Sequence, residues 1–162
     1  MRQGFAHSPF GTLLLAESEK GLCWLSFVNH SSEARKQLAT AFPAQTYSQD
    51  DAWASSVVNN WIVDKSLTIN LASIGTSFQM TVWNTLLKVP LGSTLSYSDL
   101  AKKCGHPTAV RAVATAVGRN PIAIFIPCHR VLPKNASLGN YRWGADKKRA
   151  LLEWERNVSS SF

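Results

Sequence analysis

Hydrophobic residues near the start of the chain fall in two short runs, Phe10–Ala16 and Leu22–Val28. The segment between them, Glu17–Gly21, is polar and ends in glycine, which is typical of a turn. Two apolar runs of this length on either side of such a turn predict a β-hairpin.

Farther along, the apolar positions recur at helical spacing. Trp53, Val57 and Trp61 lie four residues apart, and this predicts a helix over residues 50–63. An earlier helix is predicted over Glu33–Ala41, with Ser31 or Ser32 as its cap.

The apolar residues of Leu67–Leu71 predict one more strand. Residues 1–74 are therefore expected to form a small α+β unit that serves as a scaffold. A boundary is expected near Gly75, because the pattern beyond it is mainly helical. Thr76 and Gln79 have the spacing of a capping box, which predicts the start of a helix.

Two further helices are predicted close together. Ser96 caps the first, which runs over Tyr97–Lys103 and closes at Gly105. Pro107 suits the first turn of the second, which ends at Gly118. Two helices joined by a short turn that contains glycine match a helix-turn-helix.

The second of these helices has two distinct faces. The apolar face, expected to pack against the core, consists of Val110, Val113, Ala114 and Val117. The opposite face is small and singly basic, and it consists of Thr108, Arg111, Ala112 and Thr115. Small side chains allow a helix to approach a duplex closely, and a lone arginine can reach between the strands. An ordinary amphipathic helix is the simpler interpretation.

The last helix is predicted over residues 145–157. Lys148, Leu151, Leu152 and Glu155 share one face of it at helical spacing. A carboxylate on an apolar face is costly without a partner, so Glu155 is expected to pair with a histidine or with a Lys or Arg side chain.

The net charge of +7 is unevenly distributed. Residues 1–74 carry five Lys and Arg against six Asp and Glu, whereas residues 75–162 carry twelve against four. A strongly basic half predicts a polyanion, most simply a nucleic acid, as its partner. The alternative is a general solubilising surface charge.

The three cysteines, Cys23, Cys104 and Cys128, are odd in number and widely spaced. This pattern predicts reduced thiols rather than a disulfide framework. No apolar run is long enough for a membrane span or a signal peptide, so the expected location is the cytoplasm.

Cys128 and His129 are adjacent and follow an apolar run, Ile122–Ile126, which predicts a buried strand that ends at Pro127. Thiolate is the nucleophilic form of cysteine, and a neighbouring base can generate it. Because adjacent residues of an extended segment point to opposite faces, His129 would have to act through a turn or a water molecule.

The segment Pro127–Val131, preceded by Ile124–Ile126, resembles the active-site signature of the O6-alkylguanine-DNA alkyltransferases. Four further segments stand at the spacing of that family: Ser96–Ala101, Arg111–Val113, Gly118–Pro121 and Gly139–Gly144. The resemblance implies an α+β fold. In it, a small α/β, ribonuclease H-like unit (residues 1–74) precedes a mostly helical, winged helix-turn-helix domain (residues 75–162).

The resemblance also implies that Cys128 accepts an alkyl group from O6 of guanine in one irreversible step, without a cofactor. His129 would act as a base through a water molecule, Glu155 would orient His129, and Asn120 would tie the helix-turn-helix to the reactive segment. Activation of a nucleophile by a base that a third group holds is the logic of a catalytic triad.

The implied partner is double-stranded DNA with O6-alkylguanine, or possibly O4-alkylthymine, bound by a monomer through the minor groove. The DNA-binding residues that the resemblance implies are Tyr97, Thr108, Arg111, Ala112, Thr115, Val131 and Arg142. Arg111 would fill the gap left by the extruded base, and Tyr97 would press on its phosphate and donate a hydrogen bond to it.

Some family members hold zinc in the N-terminal half, but Ser18 and Cys23 stand at positions of those ligands, so no metal is expected here. Three other functions compete with alkyl transfer. A lesion-binding relative would lack the acceptor Cys128, and a winged-helix regulator would leave the set of Cys128, His129 and Glu155 unexplained. A cysteine hydrolase would need an oxyanion hole, which no segment suggests.

Overall fold

The structure, a computed structural model, describes residues 1–65, 69–135 and 137–160. The chain divides into two compact units, Met1–Ile74 and Gly75–Phe162. Among the helices in these ranges, none combines the length and the apolar character that crossing a bilayer requires.

The N-terminal unit is built on a four-stranded sheet with the order β3-β2-β1-β4. Its strands are β1 (Arg2–Ser8), β2 (Gly11–Ser18), β3 (Gly21–Phe27) and β4 (Ser48–Gln49). The predicted hairpin is confirmed as the antiparallel pair β2 and β3. Strand β1 pairs with β2 in antiparallel and with β4 in parallel orientation. It was missed because the polar residues Arg2, Gln3 and His7 interrupt its apolar pattern.

Two helices complete this unit, α1 (Ser31–Ala41) and α2 (Asp51–Val63). Helix α2 is confirmed, and the Asp50 side chain caps it by accepting a hydrogen bond from the Trp53 amide. The predicted serine cap of α1 is wrong, because Ser31 is already helical and the N-cap residue is His30. The strand predicted over Leu67–Leu71 lies partly outside the described residues, and Leu71 forms an isolated bridge with Leu22.

The C-terminal unit is mainly helical. Its elements are α3 (Ser77–Leu86), β5 (Leu95–Ser96), α4 (Tyr97–Lys103), α5 (Val110–Gly118), a 3₁₀ turn (Cys128–Arg130), β6 (Val131–Leu132) and α6 (Ala145–Ser159). Both predicted capping residues are confirmed, since Thr76 accepts from the Gln79 amide and Ser96 from the Asp99 amide. Strands β5 and β6 form a short parallel pair.

Helix α5 begins at Val110, not at Pro107 as predicted, because the chain first makes a turn in which the Ala109 amide donates to the His106 carbonyl. Its buried residues are Val113, Ala116 and Val117. Ala116 therefore occupies the core position that was predicted for Ala114, which is only half-buried. The opposite face is exposed as predicted at Arg111, Ala112 and Thr115, and Thr108 is exposed in the turn before the helix.

The strand predicted over Ile122–Ile126 is wrong, although the segment is largely buried. Its backbone folds on itself, with the Ile126 amide donating to the Ile122 carbonyl over 3.1 Å. Ile124 adopts a left-handed conformation with φ of 70°. The apolar composition predicted burial correctly, but it carried no information about the turn.

Candidate active site

Cys128 lies on the wall of a cavity of about 630 Å³ in the C-terminal unit. The wall also includes Tyr97, Arg111, Thr115, Tyr141 and Arg142. Helices α4 and α5 and the loop before α6 thus supply side chains to one space that the reactive thiol also reaches.

Asn120 fixes the shape of the segment before Cys128. Its side-chain amide donates to the Ile126 carbonyl over 2.8 Å, and its side-chain oxygen accepts from the Ile122 amide at 2.9 Å. Asn120 is completely buried just beyond the end of α5. It therefore joins the end of that helix to the turn that carries Cys128.

His129 and Glu155 form a fully buried pair, with 2.6 Å between His129 Nε2 and Glu155 Oε1. Because an ionised carboxylate can only accept, Nε2 carries the proton in this pair. Among the described residues, His129 Nδ1 has no hydrogen-bond partner. Burial lowers the pKa of His129 below its ordinary value and outweighs the opposing effect of Glu155. The imidazole is therefore neutral at neutral pH, with Nδ1 available as an acceptor.

Arg130 binds the same carboxylate. Its Nε donates to Glu155 Oε2 over 2.9 Å and its Nη2 to Oε1 over 2.8 Å, while Nη1 donates to the Val89 carbonyl over 2.6 Å. Burial alone would raise the pKa of Glu155, but the hydrogen bonds and charges of His129 and Arg130 lower it to about 2. The two kinds of partner expected for Glu155, a histidine and a Lys or Arg side chain, are thus both present, as His129 and Arg130.

The Cys128 thiol is buried, and burial raises its pKa above the ordinary value of a cysteine. The Asn120 side chain, the charge of Lys148 and the Tyr141 hydroxyl oppose this effect without overcoming it. Cys128 is consequently a neutral thiol at rest, and the expected chemistry needs a base at the moment of reaction.

Two tyrosines near Cys128 keep their protons. Burial raises the pKa of Tyr97, and burial together with the proximity of Cys128 raises the pKa of Tyr141 well above its ordinary value. Both side chains line the cavity, so each can act there as a hydrogen-bond donor.

Val131 and Arg142 both make hydrogen bonds within the protein. The Val131 carbonyl accepts from the buried Lys148 ammonium over 2.7 Å, which leaves one lone pair for a ligand. Arg142 Nη1 donates to the Asn120 carbonyl over 3.3 Å, and its guanidinium lies 5.1 Å from the Trp143 ring centre.

The residues expected on the DNA face do not all meet at the thiol. Thr108 and Ala112 line a second cavity of about 660 Å³, together with Arg111, Thr115 and Arg119. Arg111 and Thr115 border both cavities, so they connect the exposed face of α5 with the space around Cys128.

Sequence reasoning missed the parts played by Arg130, Lys148 and Tyr141. The helical spacing had already placed Lys148 on the buried stripe of α6, and a buried ammonium implies a partner. No comparable signal pointed to Arg130, which is simply next to His129. Within the residues described, no three His, Cys, Asp or Glu side chains cluster as metal ligands would. The expected absence of zinc stays a prediction, which elemental analysis of the purified protein tests.

Two family models match the chain. The model described as "6-O-methylguanine DNA methyltransferase, DNA binding domain" matches residues 77–157, and the one described as "6-O-methylguanine DNA methyltransferase, ribonuclease-like domain" matches residues 1–62. The two matched regions fall in the two compact units.

The methylated-DNA–protein-cysteine methyltransferase of Methanosarcina acetivorans is 39% identical over 152 residues, which are 91% of this chain and 94% of that protein. The bifunctional transcriptional activator/DNA repair enzyme Ada of Escherichia coli is 39% identical over 160 residues. That alignment covers 96% of this chain but 45% of Ada, so the chain spans about half the length of such relatives.

Among solved structures, Mycobacterium tuberculosis OGT in complex with DNA superposes with a TM-score of 0.80 at 34% identity. The superposition covers 97% of this chain and 94% of the M. tuberculosis chain. Matches to both units, together with a relative aligned over nearly its whole length, show that the chain belongs to the 6-O-methylguanine DNA methyltransferase family.

Proposed function

We propose that this protein repairs O6-alkylguanine in duplex DNA by moving the alkyl group irreversibly to its own Cys128. The observation that carries the proposal is a buried thiol on the wall of a cavity, followed directly in the chain by His129, which pairs with the buried Glu155. The cavity also opens beside Arg111 on the exposed face of α5.

The reaction is a single displacement. Cys128 Sγ forms a bond to the alkyl carbon as the bond from that carbon to guanine O6 breaks. The thiol proton passes through a water molecule to His129 Nδ1, and the ionised Glu155 stabilises the resulting imidazolium. The departing guanine takes the electron pair, and the Tyr97 hydroxyl donates a hydrogen bond to the base. The product is a stable thioether, so each molecule reacts once.

The DNA side of the proposal uses the exposed face of α5. Ala112 and Thr115 on α5, and Thr108 in the turn before it, are small enough to let the helix backbone approach the minor groove. Arg111 enters the duplex to replace the extruded base. The backbone groups of Val131 and Arg142 contact the guanine edge. Extrusion costs a few kcal/mol of stacking, and less for a damaged base.

Two features of the surroundings complete the proposal. The basic C-terminal half suits a polyanionic partner. The three cysteines are free thiols, which suits a protein that works in the reducing cytoplasm.

Intact mass spectrometry tests the proposal directly. After incubation with a duplex that carries O6-methylguanine, the protein should gain the mass of one methylene group, mapped by fragmentation to Cys128. Cys128→Ala should show no gain and should still bind the lesion, while Cys104→Ala should react like the unaltered protein. A gain of mass by the Cys128→Ala variant would contradict the proposal. Loss of the methyl group from the duplex without a matching gain in protein mass would also contradict it.

A further inference from the structure

The carboxylate of Glu155 is shared between two cationic or potentially cationic partners. Arg130 engages both of its oxygens, at 2.9 and 2.8 Å, whereas His129 engages one of them, at 2.6 Å. In a simple pair, an ionised carboxylate would strongly favour a charged imidazolium. Here a permanent guanidinium charge already lies against that carboxylate.

The position of Arg130 is fixed independently of His129. Its Nη1 donates to the Val89 carbonyl over 2.6 Å, and the side chain is almost completely buried. A planar guanidinium with three such bonds has little freedom to move away from Glu155. Its charge therefore acts on the pair of His129 and Glu155 at all times.

We propose that Arg130 is a positioning residue: by sharing the carboxylate of Glu155 with His129, it adds to burial in keeping His129 uncharged, and so restrains the deprotonation of Cys128. This inference rests on the proposed role of Cys128 as alkyl acceptor. A residue that reacts once is wasted if it meets another electrophile first, and a thiol is far less nucleophilic than a thiolate. Arg130 would protect the acceptor by restraining its base.

The charges around the two titrating groups agree with this reading. Burial is the main cause that lowers the pKa of His129; Glu155 opposes it, and the charges of Arg130 and Lys148 add to the lowering. The other titratable or charged groups that face Cys128 are Tyr97, Tyr141, Arg142 and Lys148. Arg130 is the one among these cations that contacts the carboxylate of Glu155.

The test removes the charge of Arg130 in two ways. Arg130→Met keeps the length and apolar burial of the side chain, and Arg130→Gln keeps a polar donor. In both, the pKa of His129, measured by NMR titration without DNA, should rise. Alkylation of Cys128 by iodoacetamide at neutral pH should become about tenfold faster, because a more basic His129 raises the fraction of Cys128 present as thiolate.

Two matched variants complete the design. Arg130→Lys restores a positive charge and should bring both readouts back towards those of the unaltered protein. Arg149→Met removes the same charge from the exposed side of α6 and should change neither readout. If Arg130→Met fails to fold, Arg130→Gln decides.

An unchanged or lower pKa of His129 in a folded, neutral variant would overturn the inference, as would unchanged or slower alkylation of Cys128. Because both readouts are taken without DNA, this outcome is distinct from a failure of the proposed function, which would appear as no methyl transfer in the unaltered protein.

Discussion

Nε2 of His129 and Oε1 of Glu155 are 2.6 Å apart, and neither side chain is exposed to solvent. The pair joins the turn at Cys128 to α6, although the two residues lie 26 positions apart in the chain. A contact that is both buried and close to the reacting thiol has consequences for activity and for stability.

Glu155→Gln should abolish most alkyl transfer, because a neutral amide cannot stabilise the imidazolium that forms when His129 takes the thiol proton. The variant should also lose about 3–5 kcal/mol of unfolding free energy, since the buried Arg130 would lose its counter-charge. Transfer of labelled methyl and urea unfolding measure the two effects. Glu153→Gln, on the exposed side of the same helix, is the control and should leave both unchanged.

Asn120→Ala should destabilise the protein by about 1–3 kcal/mol, because it leaves the buried Ile122 amide without its partner and removes one of the two donors to the Ile126 carbonyl, the other being the Cys128 amide. The turn that carries Cys128 would lose its tie to α5, so transfer should slow as well. Urea unfolding gives the stability, and single-turnover kinetics give the rate. Equal stability of the two proteins would show that this tie does not hold the turn.

Arg111→Ala should slow the repair of duplex DNA at least tenfold while leaving the reaction with free O6-benzylguanine nearly unchanged. Arg111 is exposed, whereas His129 and Glu155 are fully buried, so its proposed role concerns the duplex and not the proton transfer. The two rates, measured side by side, separate the roles. Similar losses with both substrates would contradict its placement in the groove, and Arg149→Ala serves as the control for charge.

Stability should fall as the pH is lowered. The pKa of Glu155 is about 2 in the folded protein, against an ordinary value of 4.5, so the unfolded chain binds the proton more tightly and the stabilisation by Glu155 is lost between these values. His129 acts in the same direction below its ordinary pKa of 6.5, because burial lowers its pKa in the folded state. Urea midpoints measured from neutral to acidic pH should show this decline, and Glu155→Gln should flatten its lower part.

The sequence predicted the elements whose signals are local. The capping residues Thr76 and Ser96, the hairpin and α2 follow from short-range patterns, and the structure confirms them. The buried face of α6 was predicted equally well, because Lys148, Leu151, Leu152 and Glu155 follow the helical spacing and are all buried.

The sequence-based predictions were wrong where one residue pattern is compatible with two backbone conformations. The run before Pro127 is apolar enough for a strand, but Asn120 binds its backbone groups and turns it. The role of Arg130 depends on a carboxylate 25 positions away, and no spacing rule connects the two. The spacing placed Lys148 on the buried stripe of α6, but its acceptor is the backbone carbonyl of Val131. Because every residue has a backbone carbonyl, the sequence does not reveal which one accepts.

The left-handed backbone conformation of Ile124 determines whether the segment that carries Cys128 can keep its shape outside the protein. A β-branched residue with φ of 70° costs on the order of 1–3 kcal/mol relative to a relaxed conformation. The burial of its side chain and the two hydrogen bonds that Asn120 makes with the flanking backbone support it there. A short synthetic peptide with the sequence Ile122–Val131 would lack both supports and would relax to another shape. The signature in this segment therefore has its geometry only inside the domain that surrounds it.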